Sequence, residues 1–194
     1  DGSVTTVRLD KSGAQAVADA HGKYYEPTSR ANVFWVANQV GITSQAGLSA
    51  TTPALTLFNP KGSGVNASIL FAGAQFTVAF ATAGAIFVAV NTNIAAADVT
   101  GTATTAHRAG LLGNGGAPKV TPLLAATLPV APVAVDILGA GLTGAITVIP
   151  GFSFGRWYDG SLVLAPGSAL SIQTGVASGA SGTFCSYVWE EITI

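Results

Sequence analysis

Residues 62–97 read GSGVNASILFAGAQFTVAFATAGAIFVAVNTNIAAA and contain no Asp, Glu, Lys, Arg or His. An uncharged run of this length must be largely buried in a core, an interface or a bilayer. Within it, residues 67–90 are apolar enough to span a membrane as a helix. Gln75 would lie near the middle of that helix, and Gly and Thr interrupt its second half. We therefore predict buried strands in place of a membrane span.

Strand periodicity is clearest in the centre of this stretch. Gln, Thr and Ala occupy positions 75, 77 and 79, and they alternate with Phe76, Val78 and Phe80. A period of two places the larger apolar side chains on one face of a strand. The pattern predicts a strand over residues 75–81.

The composition fits one domain that hides much of its surface. Charged residues make up 9% of the 194 residues, against the roughly 25% usual for soluble domains. The mean hydropathy is +0.51. A soluble chain with so few charges usually buries part of its surface in an assembly. The net charge of -1 and the scattered basic residues argue against a nucleic-acid partner and against an anionic membrane surface.

Residues 1–30 differ from the rest, because they carry eight of the seventeen charges. We interpret them as an extended N-terminal arm that reaches a neighbouring subunit, followed by a β-domain over residues 31–194. A first edge strand with a loop is the equally weighted alternative for the arm.

From residue 33 onward the sequence is typical of a β-protein. Short runs of Val, Ile, Thr, Phe and Ala are broken by Gly, Pro and Asn every 8 to 15 residues. The predicted strands cover residues 33–38, 54–58, 67–71, 75–81, 85–91, 120–124, 145–149, 161–164, 169–174 and 183–194. We expect long loops with one or two strands in the region of residues 98–132.

Two predicted connections have recognisable turn chemistry. Residues 59–64, NPKGSG, supply the fixed φ of proline and two glycines that tolerate positive φ. Residues 165–168, APGS, place proline and glycine as a type II turn requires. We expect this second turn to join residues 161–164 and 169–174 as a β-hairpin.

The closing segment has apolar residues on both faces of a predicted strand. Cys185, Tyr187 and Trp189 share one face, and Phe184 and Val188 lie on the other. Strands without intervening helices indicate an antiparallel arrangement. The predicted fold class is therefore all-β: an antiparallel β-sandwich, jelly-roll-like, of about eight strands.

Two short motifs are typical of enzymes but lack the context that those enzymes need. Residues 139–144, GAGLTG, match a dinucleotide-binding motif, yet the β-branched sequence that follows does not predict the required helix. We interpret them as a turn between strands. Residues 151–155, GFSFG, match a nucleophile elbow, but no histidine follows His107. We interpret Ser153 as a turn residue.

The remaining polar residues give no metal or hydrolytic site by spacing. His21 and His107 are the two histidines, and we expect both to be solvated loop residues. Glu190 and Glu191 are adjacent on a strand and must point to opposite faces. A meeting of either glutamate with Asp136 or Asp159 stays open, because it depends on the tertiary structure. The single cysteine, Cys185, excludes an intrachain disulfide and a multi-cysteine zinc site, and we predict no cofactor.

Arg156, Trp157, Tyr158 and Asp159 form the densest polar and aromatic cluster in the sequence. Exposed, this cluster would suit sugar stacking or a protein contact, because Trp and Tyr offer large area at low entropy cost. The alternative is an ordinary aromatic corner under a loop.

Three stretches resemble small structural proteins of tailed bacteriophages. They are VTTVRLDKSGAQAVADAHGKYYE at residues 4–26, TLFNPKGSGVNASIL at residues 56–70, and LVLAPGSALSIQT with FCSYVWEEI near the end. Residues 98–160 do not take part in the resemblance. It implies a virion protein with a jelly-roll or similar sandwich, attached to the capsid as a decoration, cement or head-fibre element, and forming a homotrimer.

Two functional hypotheses follow, and neither is enzymatic. In the first, the protein bridges neighbouring major capsid subunits on the capsid surface, and the arm residues Arg8, Lys11 and Arg30 face the lattice. In the second, it is a host-surface or glycan-binding module of a tail or head fibre, with Arg156, Trp157 and Tyr158 as contact residues. A hydrolase built on converging carboxylates is the weakest alternative.

Overall fold

Strands dominate the computed structural model, which describes residues 22–80, 82–95, 99–104, 107–113, 116–141, 153–178 and 182–194. In these ranges one short helix, α1 (Tyr25–Ser29), precedes eleven strands. The strands are β1 (Val33–Ala37), β2 (Leu55–Asn59), β3 (Val65–Phe76), β4 (Gly84–Asn91), β5 (Thr100–Ala103), β6 (His107–Ala109), β7 (Thr121–Thr127), β8 (Val133–Gly141), β9 (Ser153–Leu164), β10 (Ser168–Thr174) and β11 (Thr183–Thr193).

The strands form two antiparallel sheets that pack face to face. Sheet I has the order β6-β1-β11-β3-β9, and sheet II has the order β5-β7-β2-β10-β4-β8. The predicted all-β antiparallel sandwich is confirmed, with more than the eight strands expected. The jelly-roll subtype and the N-terminal arm stay predictions, and residues 1–21 lie outside the described part of the chain.

The core lies between the inner faces of the two sheets. In β11, Cys185, Tyr187 and Trp189 point into it, as the alternating sequence predicts. Leu57 from β2 and Ile172 from β10 meet them from sheet II. Because both inner faces are apolar, burial of these side chains is the main stabilising term of the sandwich.

The uncharged stretch that decides the fold forms β3 and β4, one strand in each sheet. The described residues contain no helix long and apolar enough to cross a membrane. β3 is longer than predicted and ends at Phe76, so the predicted strand over residues 75–81 is wrong beyond that point. Phe76 and Phe80 are nevertheless both buried, with ring centroids 5.3 Å apart, whereas Val78 is exposed.

Both predicted turns form, but the second has a different role. Gly62 and Gly64 have φ of 84° and 71°, and Gly167 has φ of 80°, so each glycine occupies a conformation that L-residues rarely adopt. The predicted hairpin is wrong, because β9 pairs with β3 in sheet I and β10 pairs with β2 and β4 in sheet II. The turn at Pro166 and Gly167 therefore carries the chain from one sheet to the other.

The region between residues 98 and 160 holds more strand than the sequence indicated. β5, β6 and β8 were not predicted, and β9 begins at Ser153, ahead of the predicted residues 161–164. The predicted strand over residues 145–149 lies outside the described residues. Of the missed strands, β5 consists only of Thr, Gly and Ala, so its formation depends on pairing with neighbours and not on local propensity.

Irregular pairing between β3 and β9 shapes one end of sheet I. Ile69 pairs with Leu162 and Phe71 pairs with Trp157, so β9 fits four residues against one on β3. Asp159, inside this excursion, has φ of 51°. The bulge turns the Asp159 side chain away from the strand ladder and towards the segment before α1.

Loops cover much of the outer face of sheet II. Phe58, Ile94, Leu123 and Leu128 form a second apolar cluster there. Gln173 is buried on the same face and donates a hydrogen bond to the Ser49 carbonyl. Two other surfaces are exposed in part among the described residues: the β8 edge of sheet II, and the outer face of sheet I, where Val33, Leu70 and Val188 are buried beside Tyr24.

Candidate functional site

The charged residues proposed for the arm are only partly within the described structure. Arg8 and Lys11 lie outside it. Arg30 follows α1 and is exposed, and its Nε donates a hydrogen bond to Glu26 Oε1 at 2.8 Å. Its guanidinium group therefore has a local partner on the helix.

The predicted cluster at residues 156–159 lies on an edge strand and is divided by strand alternation. Arg156 and Tyr158 point towards sheet II, whereas Trp157 lies on the outer face of sheet I. All three nevertheless line one concave region of about 390 Å3, so their role as a contact site stays a prediction. The interpretation as a corner under a loop is replaced, because these residues belong to β9.

Asp136 of β8 joins the edges of the two sheets. Its Oδ1 accepts a hydrogen bond from Arg156 Nη1 at 2.7 Å, and its Oδ2 accepts one from the Tyr158 hydroxyl at 2.6 Å. Burial, and then the bond to Asp136, raise the pKa of Tyr158. Tyr158 thus remains a hydroxyl donor, and the cluster stabilises the sandwich edge.

An aromatic row crosses the outer face of sheet I. Trp35, Val188, Phe71 and Trp157 are successive cross-strand neighbours on β1, β11, β3 and β9. Trp35 is 51% exposed and Trp157 is 56% exposed at the two ends of the row. Exposed tryptophans at both ends of one row are a candidate contact surface.

The segment before α1 is fixed to this row by Asp159. The Tyr24 hydroxyl donates a hydrogen bond to Asp159 Oδ1, and Lys23 Nζ lies 2.9 Å from Asp159 Oδ2. The Tyr24 ring stacks on Trp157. The bonds from Tyr24 and Lys23 lower the pKa of Asp159, and the bond to Asp159 raises the pKa of Lys23. We refer to Lys23, Tyr24 and Asp159 as the latch.

Next to the row, the Phe71 ring lies across two glycines. A Cβ on Gly73 would be 2.7 Å from the Phe71 ring, and a Cβ on Gly155 would be 2.6 Å from it. The absence of both Cβ atoms lets the ring lie close to the sheet. Ring and glycines border a concave region of about 300 Å3, whose rim includes Gln75 and Ser186. We refer to this region as the Phe71 groove.

The second open surface is the edge of sheet II. Val133, Val135 and Ile137 on β8 are 68%, 48% and 57% exposed. β8 is the last strand in the order of its sheet. A long apolar edge of this kind is an association surface unless something covers it.

The two enzyme-like motifs have structural roles. Gly139 and Gly141 lie in β8 and pair with Ile86 and Gly84, so the predicted turn is wrong there. A Cβ on Gly139 would be 2.2 Å from the Phe154 ring, which shows that this glycine permits close packing. Ser153 begins strand β9, where a nucleophile elbow would need a helix, and the prediction of a turn is replaced by this strand.

Among the described residues, His107 and Cys185 both lie in strands. His21 lies outside the described residues, and His107 begins β6, where a loop was predicted. Cys185 is buried, and burial raises the pKa of its thiol, so the reactive thiolate is disfavoured. Within the described part of the chain, no group of three His, Cys, Asp or Glu residues could hold a metal ion.

The two adjacent glutamates point to opposite faces, as predicted. Glu191 is buried and accepts hydrogen bonds from the backbone N–H groups of Lys119 and Val120, both at 2.9 Å, and from Trp189 Nε1 at 3.3 Å. Glu190 lies on the outer face, where burial raises its pKa. Glu191 has a structural role, since it fixes the segment before β7 to β11.

Comparisons of the chain with protein-family models, curated proteins and solved structures found no match. Any functional conclusion therefore depends on the surfaces themselves. Sequence reasoning had singled out Trp157 but not Phe71 and Gly155 near it, nor Trp35 at the other end of the row. The sequence offered little sign of the groove, because Gly73 and Gly155 lie on different strands. Only the pairing of β3 with β9 brings the two glycines together under the Phe71 ring.

Proposed function

We propose that this chain is a non-enzymatic structural protein of a bacteriophage virion. It decorates or cements the capsid surface by bridging major capsid subunits as an oligomer. The observation that carries this proposal is the apolar edge strand β8. Its side chains Val133, Val135 and Ile137 are 48% to 68% exposed in the single chain.

The energetics favour covering this edge. Complete burial of a Val or Ile side chain is worth about 1.5–3 kcal/mol, so three half-exposed side chains offer a gross gain of several kcal/mol. The low charge of the chain agrees with such an assembly, because few ions would have to be desolvated.

A cyclic homotrimer is the proposed oligomer. In a closed ring each copy presents one edge to a different surface of its neighbour, and no edge remains open. The ring leaves other surfaces of each copy free for contact with the major capsid protein. The resemblance of residues 4–26 and 56–70 to phage structural proteins supports this setting.

The arm is the proposed capsid contact, with Arg8, Lys11 and Arg30 facing the lattice. Its anchor supports the assignment, because Tyr24 binds Asp159 and stacks on Trp157 and so fixes the chain that follows the arm to the sandwich. Removal of residues 1–21 leaves this anchor intact. We expect the truncated protein to fold and form the same oligomer but to lose binding to capsids; retained binding would contradict the role of the arm.

The edge itself is tested by Ile137→Lys, with Val163→Lys as the matched control on another exposed strand position. Light scattering across a dilution series should show a trimer for the wild type and the control, and a monomer for Ile137→Lys. A monomeric wild type would refute the oligomer. Particles lacking the protein should be less resistant to heat and osmotic shock, and unchanged resistance would refute the cementing role.

A second candidate is a host-surface or glycan-binding module. The observation that favours it is the aromatic row, in which Trp35 and Trp157 are both half exposed on one face. Binding of the purified protein to host cells, lost in Trp157→Ala, would support this function. Binding that is absent, or unchanged by the substitution, would count against it.

A further inference from the structure

We infer that the Phe71 groove is a binding site for a neutral saccharide, with the Phe71 ring as the stacking surface. This inference gives the second candidate function a site and rests on it. It does not depend on capsid attachment or on the apolar edge of β8. The residues that carry it are Phe71, the two glycines beneath the ring, and the polar side chains around the groove.

The position of the ring is fixed before any ligand binds. Gly73 and Gly155 are cross-strand partners on β3 and β9. The Phe71 ring occupies the space that a side chain on either glycine would fill. Trp157 contacts the ring from the side, with centroids 5.0 Å apart and planes at 53°. A ring held in this way loses little conformational entropy on binding, which favours affinity for a small ligand.

Asn38 in the lining of the groove bonds to the backbone of Val40 and Thr183, but three other polar side chains have no partner within the described residues. Gln75, Ser153 and Ser186 border the groove, and their side chains form no hydrogen bond to the described part of the chain. Gln75 pairs with Ser153 on one side and with Phe184 on the other. Amide and hydroxyl groups beside an aromatic ring match a pyranose, which has an apolar face and a rim of hydroxyl groups.

The charge of the groove selects a neutral ligand. Its lining contains no Lys, Arg, His, Asp or Glu among the described residues. Lys23 and Asp159, which lie on the same face, form an ion pair with each other. An acidic or basic sugar would lose hydration there without gaining a counter-charge.

The size of the groove also fits a small ligand. A volume of about 300 Å3 is at the lower end of the range for small-molecule sites. Its lining mixes apolar rings with uncommitted polar groups, whereas the apolar edge of β8 offers little hydrogen bonding from side chains. A second copy of the chain therefore fits the β8 edge, and a saccharide fits the Phe71 groove.

The test is saturation-transfer NMR on the full chain with maltotriose, cellotriose and chitotriose, and with glucuronic acid as a charged comparison. We expect transfer to at least one neutral trisaccharide and none to glucuronic acid. Gly155→Ala, which displaces the ring, should abolish the transfer. Gln75→Ala should weaken binding about fivefold, the value of one hydrogen bond. Val163→Ala is the control, because Val163 lies on the same face of β9 as Trp157 but outside the groove, and this variant should leave binding unchanged.

Each opposing outcome has a definite meaning. Absence of transfer to all three trisaccharides would overturn the inference. Transfer that persists unchanged in both Gly155→Ala and Gln75→Ala would place the saccharide elsewhere and leave the second candidate function standing. A change of mass in light scattering on Gly155→Ala, without transfer in the wild type, would show that a second copy occupies the groove. Thermal unfolding of each variant checks that it is folded.

Discussion

The rings of Tyr24 and Trp157 stack with centroids 6.4 Å apart and planes at 12°. Tyr24 precedes the first strand, and Trp157 lies on the edge strand of sheet I. The stack therefore fixes the start of the described chain to the open aromatic face. Asp159 strengthens this contact by binding Tyr24 and Lys23.

The latch should depend on pH through Asp159. The pKa of Asp159 is lowered in the folded protein, below its ordinary value of about 4. The contribution of the Asp159 charge to folding stability is therefore complete above about pH 4, and it is lost as the pH falls through the lowered pKa. The pKa of Lys23 is raised, so the contribution of its charge to folding stability is complete below about pH 10. This contribution is lost as the pH rises through the pKa of the folded state. The indole resonance of Trp157, followed by NMR titration, should shift below about pH 4.

The matched variant for this titration is Asp159→Asn. It keeps an acceptor for the Tyr24 hydroxyl but removes the charge, so the acid shift of the Trp157 resonance should disappear. The same shift in wild type and variant would mean that another group titrates beside Trp157.

Removal of the Asp136 carboxylate should weaken the junction between the two sheets. Asp136→Asn should lower the free energy of unfolding by about 1–3 kcal/mol, because the carboxylate accepts three hydrogen bonds, from Ile137 N–H, Arg156 and Tyr158. Arg156 is half exposed, so Arg156→Gln should cost less than about 1 kcal/mol, whereas Tyr158→Phe should cost more. Urea unfolding of the three variants gives the order, and a larger loss for Arg156→Gln than for Tyr158→Phe would contradict it.

Substitution of Gly139 should disturb packing between β8 and β9. A Cβ at this position overlaps the Phe154 ring, so Gly139→Ala should destabilise the fold by about 1–3 kcal/mol. Gly116→Ala is the control, because no atom lies within 4 Å of its Cβ position. Denaturant unfolding should show little change for the control. Equal effects of the two substitutions would rule out the steric explanation.

The two adjacent glutamates should respond differently to the same change. Glu191→Gln places an amide beside the N–H groups of Lys119 and Val120 and should cost about 1–3 kcal/mol. Glu190→Gln should leave stability at pH 7 equal or slightly higher, because burial disfavours the Glu190 charge. Urea midpoints measure both, and the reverse order would contradict the structural role of Glu191.

Local patterns in the sequence were sufficient for the class of the fold. The alternation in the closing segment predicted that Cys185, Tyr187 and Trp189 share one face of β11, since side-chain direction in a strand follows a period of two. Turn positions at Gly62 and Gly167 were also predictable, because glycine is preferred where φ is positive. The charge-free stretch of residues 62–97 predicted that its strands would be buried.

Only the tertiary structure decided which strands became neighbours. A period of two indicates the face of a side chain but not the partner or register of its strand. For this reason the turn at Gly167 was mistaken for a hairpin, and the contact of Phe71 with Gly155 could not be predicted. The sequence by itself determined an all-β sandwich with a buried uncharged centre. Long-range pairing then placed Trp157 beside Tyr24 and Phe71, because cross-strand contacts join residues that are distant in the chain.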